Sequence, residues 1–251
     1  MSKIVLVTGA SAGFGIAIVK TLVADGYQVI ACARRFDKLQ ELQAELGQDK
    51  VYPLQMDVAQ PKAIDAALTS LPEQWRAIDV LVNNAGLALG LDKAYEADFT
   101  DWMTMINTNI VGLIYLTRQV LPDMVKRNFG LIINLGSTAG TVPYPGANVY
   151  GASKAFVKQF SLNLRADLAG TKIRVSNIEP GLCEGTEFSN VRFKGDDERV
   201  AKLYEGAHAI QPEDIANTVS WIASQPEHVN INRIEIMPVS QTFGAQPVYR
   251  D

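Results

Sequence analysis

The sequence predicts an α/β fold of the doubly wound, Rossmann type: a seven-stranded, mainly parallel sheet with helices on both faces. Three observations carry this. Seven short β-branched runs, at residues 4–7, 29–31, 51–54, 80–82, 131–135, 173–178 and 234–237, alternate with longer segments of helical apolar spacing. The runs are apolar at consecutive positions, as expected where helices shield both faces of a parallel sheet from water. Apolar residues make up 47% of the 251, enough to bury a sizeable core without disulfides and to form a single domain over 1–251.

The first run leads into Thr8-Gly9-Ala10-Ser11-Ala12-Gly13-Phe14-Gly15, and Ile16, Val19, Leu22 and Val23 then mark an amphipathic helix. This is a glycine-rich strand-to-helix turn. Gly9 permits the tight turn, Gly13 lets backbone approach a diphosphate and Gly15 lets the helix pack on the strand, with Ser11, Ala12 and Phe14 completing the cradle at the helix N-terminus. An ordinary tight turn has the same glycines. Its place in the first βα unit of a continuing βαβ series is what favours a dinucleotide site.

At the end of the second run, where an NAD site usually carries an acidic residue, stands Ala33, followed by Arg34 and Arg35. Two guanidiniums suit a 2′-phosphate, so the expected cofactor is NADP; the plainer reading is a pair of solvated charges at a loop end.

Further on, Tyr150 and Lys154 fall four residues apart on one predicted helix face. A phenol of pKa about 10 works as a general acid/base near neutrality only if a nearby positive charge stabilises its phenolate. Lys154 supplies one such charge, and an oxidised nicotinamide would supply another. Ser137 ends the fifth strand, at the carboxyl edge of the sheet where such folds place their sites, and Asn109 lies in the preceding long helical segment. A lone Tyr-x-x-x-Lys pair is common on solvated helices, so the weight rests on these features occurring in register.

Together, the glycine turn, Asp57-Val58, Asn83-Asn84-Ala85-Gly86, Asn109, Ser137, Tyr150/Lys154 and Pro180-Gly181 make the sequence resemble the short-chain dehydrogenase/reductase family over essentially its whole length. The resemblance implies adenine contacts from Asp57 and Val58, and a cofactor wall at Asn84 and Gly86. It implies a nicotinamide-ribose contact from Lys154 and an Asn109-held water relaying protons from Lys154. It also implies that Pro180, Gly181, Leu182 and Thr186 flank the carboxamide. One departure stands out: the interval from Pro180-Gly181 to Thr186 is one residue longer than usual in the family, which leaves the carboxamide contact open.

Residues 83–90, 136–140, 160–165 and 179–196 are similar to the group of NADP-dependent 3-hydroxy acid (serine) dehydrogenases. That resemblance implies oxidation of serine-like 3-hydroxy acids and reduction of malonic semialdehyde. A small carboxylate substrate needs a cationic anchor, and Arg192 and Lys194 lie in the irregular, glycine-rich stretch 179–197, expected to be a mobile loop within a substrate segment around 182–210. Arg192 is the candidate anchor. A broad carbonyl reductase, or a silent NADP sensor, would share most of these residues.

Other classes fit poorly. With 23 basic and 27 acidic residues and a net charge of −4, nucleic acid and anionic membrane are not the expected partners. His208 and His228 lack metal-ligand spacing, so no metal is expected, and Cys183 has no histidine near it in sequence. No apolar stretch approaches the roughly 20 residues of a membrane span, and Cys32 and Cys183 suggest no disulfide framework, which points to the cytoplasm. Trp75, Trp102 and Trp221 read as core or interface packing. Phe156, Phe160, Leu164 and Leu168 read as a stripe suited to a helix-mediated dimer contact, and the family resemblance implies a homo-oligomer, with a tetramer favoured and a dimer compatible.

Overall fold

The computed structural model describes residues 2–244. Its seven strands, β1 (Ile4–Thr8), β2 (Gln28–Ala33), β3 (Val51–Gln55), β4 (Ile78–Asn83), β5 (Gly130–Leu135), β6 (Ile173–Pro180) and β7 (Arg233–Ile236), form one sheet in the order β3-β2-β1-β4-β5-β6-β7. Every pairing is parallel, so the sheet is parallel throughout rather than mainly so. The strand order reverses between β1 and β4, and the crevice at their carboxyl ends is where a fold of this kind receives a ligand.

Alternation along β1 explains the two-sided core. Val5 and Val7 pack with Val19, Leu22, Ile215 and Val219, from α1 (Gly13–Ala24) and α9 (Pro212–Ser224). Ile4 and Leu6 face the other way, onto Ile64, Leu116, Val120 and Leu164, from α3 (Pro61–Ser70), α5 (Leu113–Arg127) and α6 (Asn148–Asp167). Burying all these side chains supplies the main stabilising term, at about 1.5–3 kcal/mol for each large aliphatic residue. The remaining helices are α2 (Phe36–Leu46), α4 (Phe99–Ile106), α7 (Phe188–Arg192) and α8 (Asp197–Tyr204). No helix among the described residues is long and apolar enough to cross a membrane.

Two expectations change here and one is refined. The stretch 179–197 is not simply a loop: Glu179 and Pro180 finish β6, and α7 and α8 form short helices whose few residues are too brief for periodicity to show. Of the tryptophans read as core or interface packing, Trp75 is buried, Trp102 is half-buried against a core cluster and Trp221 is 49% exposed on α9, so the core half of that reading applies to the first two and only the interface half to Trp221. Phe156, Phe160, Leu164 and Leu168 do not share one face. Steps of four residues advance about 40° each on a helix; Leu164 and Leu168 therefore turn into the core, Phe160 packs half-buried against it, and Phe156, stacked on Phe160, is left exposed.

Candidate active site

A cavity of about 860 Å³ opens at the carboxyl edge of the sheet. Its walls are the glycine turn, Arg34 and Arg35, Asp57 and Val58, Asn84 and Gly86, Ser137, Tyr150, Lys154, and the segment from Pro180 to Tyr204.

At one end, the glycine turn is set for an anion. Gly9 has φ +68, and a Cβ on Gly15 would stand 2.0 Å from the Gly9 carbonyl oxygen, so α1 can start this close to the turn only without one. The helix N-terminus has no side-chain cap and no acidic residue in its first turn; the Gly15 and Ile16 N–H groups turn back to the Ala12 carbonyl, which leaves those of Gly13 and Phe14 to a ligand with no competing carboxylate there. Thr8 locks the turn to the far side of the switch point. Its hydroxyl accepts from the N–H groups of Asn84 (3.0 Å) and Ala85 (2.9 Å), and Asn84 Nδ2 donates to the Thr8 carbonyl at 2.8 Å. With the far side of the switch point locked in this way, it is the uncapped start of α1 that fits the diphosphate of a dinucleotide.

The two arginines after β2 divide. Arg34 lines the cavity and its guanidinium makes no hydrogen bond among the described residues. Arg35 is engaged: it donates through Nη1 and Nη2 to the two carboxylate oxygens of Glu187, both at 2.9 Å, and through Nε to Ser11 Oγ at 3.2 Å.

The other end holds the predicted acid/base group. Tyr150, in the first turn of α6, is 7% exposed. Lys154 lies one turn on; its Nζ is 5.9 Å from the Tyr150 ring centre and donates to the Leu135 carbonyl at 2.7 Å, which pins α6 to the end of β5. Ser137 caps the turn after β5, accepting from the Ala139 N–H at 3.1 Å. Burial pushes the Tyr150 phenol well above its ordinary range, with Ser137 and Arg192 pulling the other way. Burial also lowers Lys154, to about 8, so the ammonium is retained at neutral pH.

Asn109 is not in a regular helix. It belongs to a π-type turn, Asn107–Gly112, joining α4 to α5, and such bulges recur at functional sites. Its amide is fixed by Leu87, accepting from the N–H and donating to the carbonyl, both at 2.9 Å, and it donates to Ser153 Oγ at 3.1 Å. A Cβ on Gly86 would come within 3.3 Å of Lys154 Nζ and 3.4 Å of Asn109 Oδ1, so the glycine keeps open the space between the two polar groups.

The segment after β6 closes over both ends. Thr186 packs on Gly13, where a Cβ would lie 2.8 Å from its side chain. Phe188 tilts against the Tyr150 ring at 5.7 Å, and the Arg192 guanidinium lies 5.5 Å from the Tyr150 ring centre and 5.4 Å from that of Tyr144. Lys194 turns away, to Asp101 at 2.9 Å. Sequence reasoning gave no role to Tyr144, Glu187 or Phe188, although the last two lie inside the stretch 179–196 on which the resemblance rests.

A family model described as short chain dehydrogenase matches residues 3–197. The "Probable NADP-dependent dehydrogenase" of Haemophilus influenzae is 63% identical over 246 residues, 98% of this chain and 97% of that protein. The "NADP-dependent 3-hydroxy acid dehydrogenase YdfG" of Salmonella typhi is 61% identical over 247 residues, 98% of this chain and 99% of that protein. Among solved structures, the closed form of serine dehydrogenase complexed with NADP+ superposes with a TM-score of 0.97 at 58% identity, covering 99% of this chain and 100% of that one. With its parallel sheet, its glycine turn and its Ser137, Tyr150 and Lys154 around one cavity, the chain belongs to the short-chain dehydrogenase family.

Proposed function

We propose that this chain is an NADP-dependent dehydrogenase of small 3-hydroxy acids. It oxidises compounds such as L-serine or 3-hydroxypropionate and reduces the corresponding semialdehydes, malonic semialdehyde among them. The observation that carries the reading is the pairing of Tyr150 with Arg192, whose guanidinium lies 5.5 Å from the phenol ring in the same cavity. A 3-hydroxy acid has its hydroxyl-bearing carbon two carbon–carbon bonds from its carboxyl carbon, so an acid/base group and an anion anchor must stand this close. The names of the relatives support the same substrate class and cofactor.

Arg34 and Arg35, with no acidic residue at the end of β2, favour the 2′-phosphate of NADP. Asp57 and Val58 hold the adenine, Asn84 and Gly86 the cofactor wall, and Pro180, Gly181, Leu182 and Thr186 the far side; Lys154 also meets the nicotinamide ribose. Bound NADP supplies the hydride acceptor and a positive charge beside the phenol. Tyr150 takes the hydroxyl proton as the alcohol is oxidised and returns it when the carbonyl is reduced. Ser137 hydrogen-bonds the substrate oxygen, the Lys154 ammonium offsets the burial cost of the phenolate, and Arg192 holds the carboxylate. Asn109 borders the route by which Lys154 exchanges its proton.

A neutral carbonyl substrate is the second reading, favoured by the apolar side chains of Leu182, Phe188, Val191 and Leu203 in the same wall. The exposed Phe156, on α6, is the candidate contact for a homo-oligomer, with a tetramer favoured, working in the cytoplasm.

Steady-state turnover with NADP and NAD in parallel, on L-serine, 3-hydroxypropionate and a neutral secondary alcohol, tests the reading. NADP-dependent turnover favouring the acids is expected. Preference for the neutral alcohol would move the protein to the general carbonyl reductases, and no turnover on any would point to a silent NADP-binding module.

A further inference from the structure

The fork between Arg35 and Glu187 in the cavity wall has no part in the chemistry described above. Both carboxylate oxygens of Glu187 are taken, at 2.9 Å each, by a guanidinium that is also tied to Ser11 through its side chain (3.2 Å) and its carbonyl (3.1 Å). Arg35 follows β2, Ser11 belongs to the glycine turn, and Glu187 immediately precedes α7. One side chain therefore joins three separate walls of the cavity. Beside it, Thr186 rests on Gly13, where any Cβ would be 2.8 Å away. The pair of residues 186 and 187 thus crosses the glycine turn and is fastened on its far side. Arg34, with its guanidinium unengaged among the described residues, is left to face the cavity.

We infer that Glu187 is a positioning residue that acts through Arg35 to strap the 182–197 segment over the bound dinucleotide and slow its release. The inference rests on the cofactor reading of the preceding section. The strap spans the part of the cavity where the diphosphate meets the uncapped helix N-terminus, so a dinucleotide seated there cannot leave until it opens. Its strength suits such a task. The partners are 44% and 57% exposed, and an ion pair in that setting shifts an equilibrium or a rate by about two- to fivefold, enough to retain cofactor without trapping it between turnovers. The fork geometry adds direction: it holds the carboxylate in the plane of the guanidinium, and so fixes where Thr186 and Phe188 come down.

The same fork in an opposite role gives an effect of opposite sign. A carboxylate that occupies Arg35 also competes with a 2′-phosphate for the same donors, and in that case removing it would tighten NADPH binding.

Stopped-flow displacement of NADPH, followed by its fluorescence, separates the two on wild type, Glu187→Gln, Arg35→Gln and the double variant. For the strap, Glu187→Gln releases NADPH about two- to fivefold faster, the double variant is no faster than the quicker single one, and the ratio of NADPH to NADH affinity is unchanged in Glu187→Gln. Raising ionic strength speeds release from wild type more than from Glu187→Gln, because only the first has the pair to screen. Glu187→Asp, which keeps the charge one methylene shorter, falls between the two. Slower release, an NADPH to NADH ratio that rises in Glu187→Gln, or additive single effects would overturn the strap. Failure of the wild type to bind NADPH at all would instead overturn the cofactor reading, and the strap with it. Thermal melting of the ligand-free variants guards against misfolding, and with both residues largely exposed their melting temperatures are expected to match wild type within a few degrees.

Discussion

Arg192 is clasped to Gly90 in both directions. The Gly90 N–H donates to the Arg192 carbonyl at 3.0 Å, and Arg192 Nε donates back to the Gly90 carbonyl at 3.3 Å, while Nη2 donates to the Tyr144 hydroxyl at 3.0 Å. The guanidinium is thereby held by two of its three nitrogens. Nη1 makes no hydrogen bond among the described residues and remains to meet an anion beside Tyr150.

A carboxylate held by that group gains a charge-assisted hydrogen bond, worth about 1.5–3 kcal/mol. Arg192→Ala is therefore expected to lower kcat/KM for 3-hydroxypropionate by about tenfold to a hundredfold while changing a neutral secondary alcohol by less than about threefold. Parallel kinetics on the two substrates check it. Equal losses on both would assign Arg192 to closing the segment instead of anchoring the substrate.

Tyr150→Phe keeps the ring that packs on Phe188 and removes only the hydroxyl. Turnover is expected to fall by about 10²- to 10⁴-fold, the range supplied by a general acid/base, with NADPH affinity within about twofold of wild type. Fluorescence titration beside single-turnover kinetics reads both numbers. A variant that retained activity would place the proton donor elsewhere.

How far the site could be read from the chain depends on the separation of its partners. The glycine turn is local, Lys154 stands one helical turn from Tyr150, and Ser137 ends a strand whose apolar run is plain; periodicity and spacing locate all of them. Arg192 and Gly90 are 102 residues apart, and Arg35 and Glu187 are 152 apart, so their meeting is a product of the assembled sheet and of the way 182–197 folds back across it. No short-range pattern encodes that. The same limit explains Trp221: helical spacing identified α9, but only the packed fold shows that α1 covers the opposite side of that helix and leaves the indole outside. The resemblance to a family compensated for some of this at Asn109, whose π-type turn has no spacing signature of its own.

Cofactor choice is expected to rest on Arg34. Replacing it with alanine removes a cation that lines the cavity without touching the Arg35 fork. Loss of one charge-assisted contact to a 2′-phosphate amounts to about 1.5–3 kcal/mol, so the kcat/KM ratio of NADP to NAD is expected to fall by about tenfold to a hundredfold, with NAD itself almost unaffected. An unchanged ratio would transfer the phosphate to Arg35.

Lys154 sets a stability test whose sign is fixed by its burial. The ammonium is 7% exposed, and its pKa in the folded chain, about 8, lies below the ordinary 10.5. Below about pH 8 both folded and unfolded chains hold the proton, so the folded state bears the whole cost of the buried charge. Between about 8 and 10.5 the unfolded chain holds more protons than the folded one, and stability rises with pH as that cost is relieved. Lys154→Met cannot titrate. Its stability relative to wild type is therefore expected to be more favourable at pH 7 than at pH 10, by about 2 kcal/mol, whatever the constant cost of losing the bond to Leu135. Urea unfolding of both ligand-free proteins at the two pH values measures the difference. A gap that stays the same, or widens toward pH 10, would mean that Lys154 is solvated or paired well enough in the folded chain to escape the penalty, and that Tyr150 has beside it an ordinary ammonium.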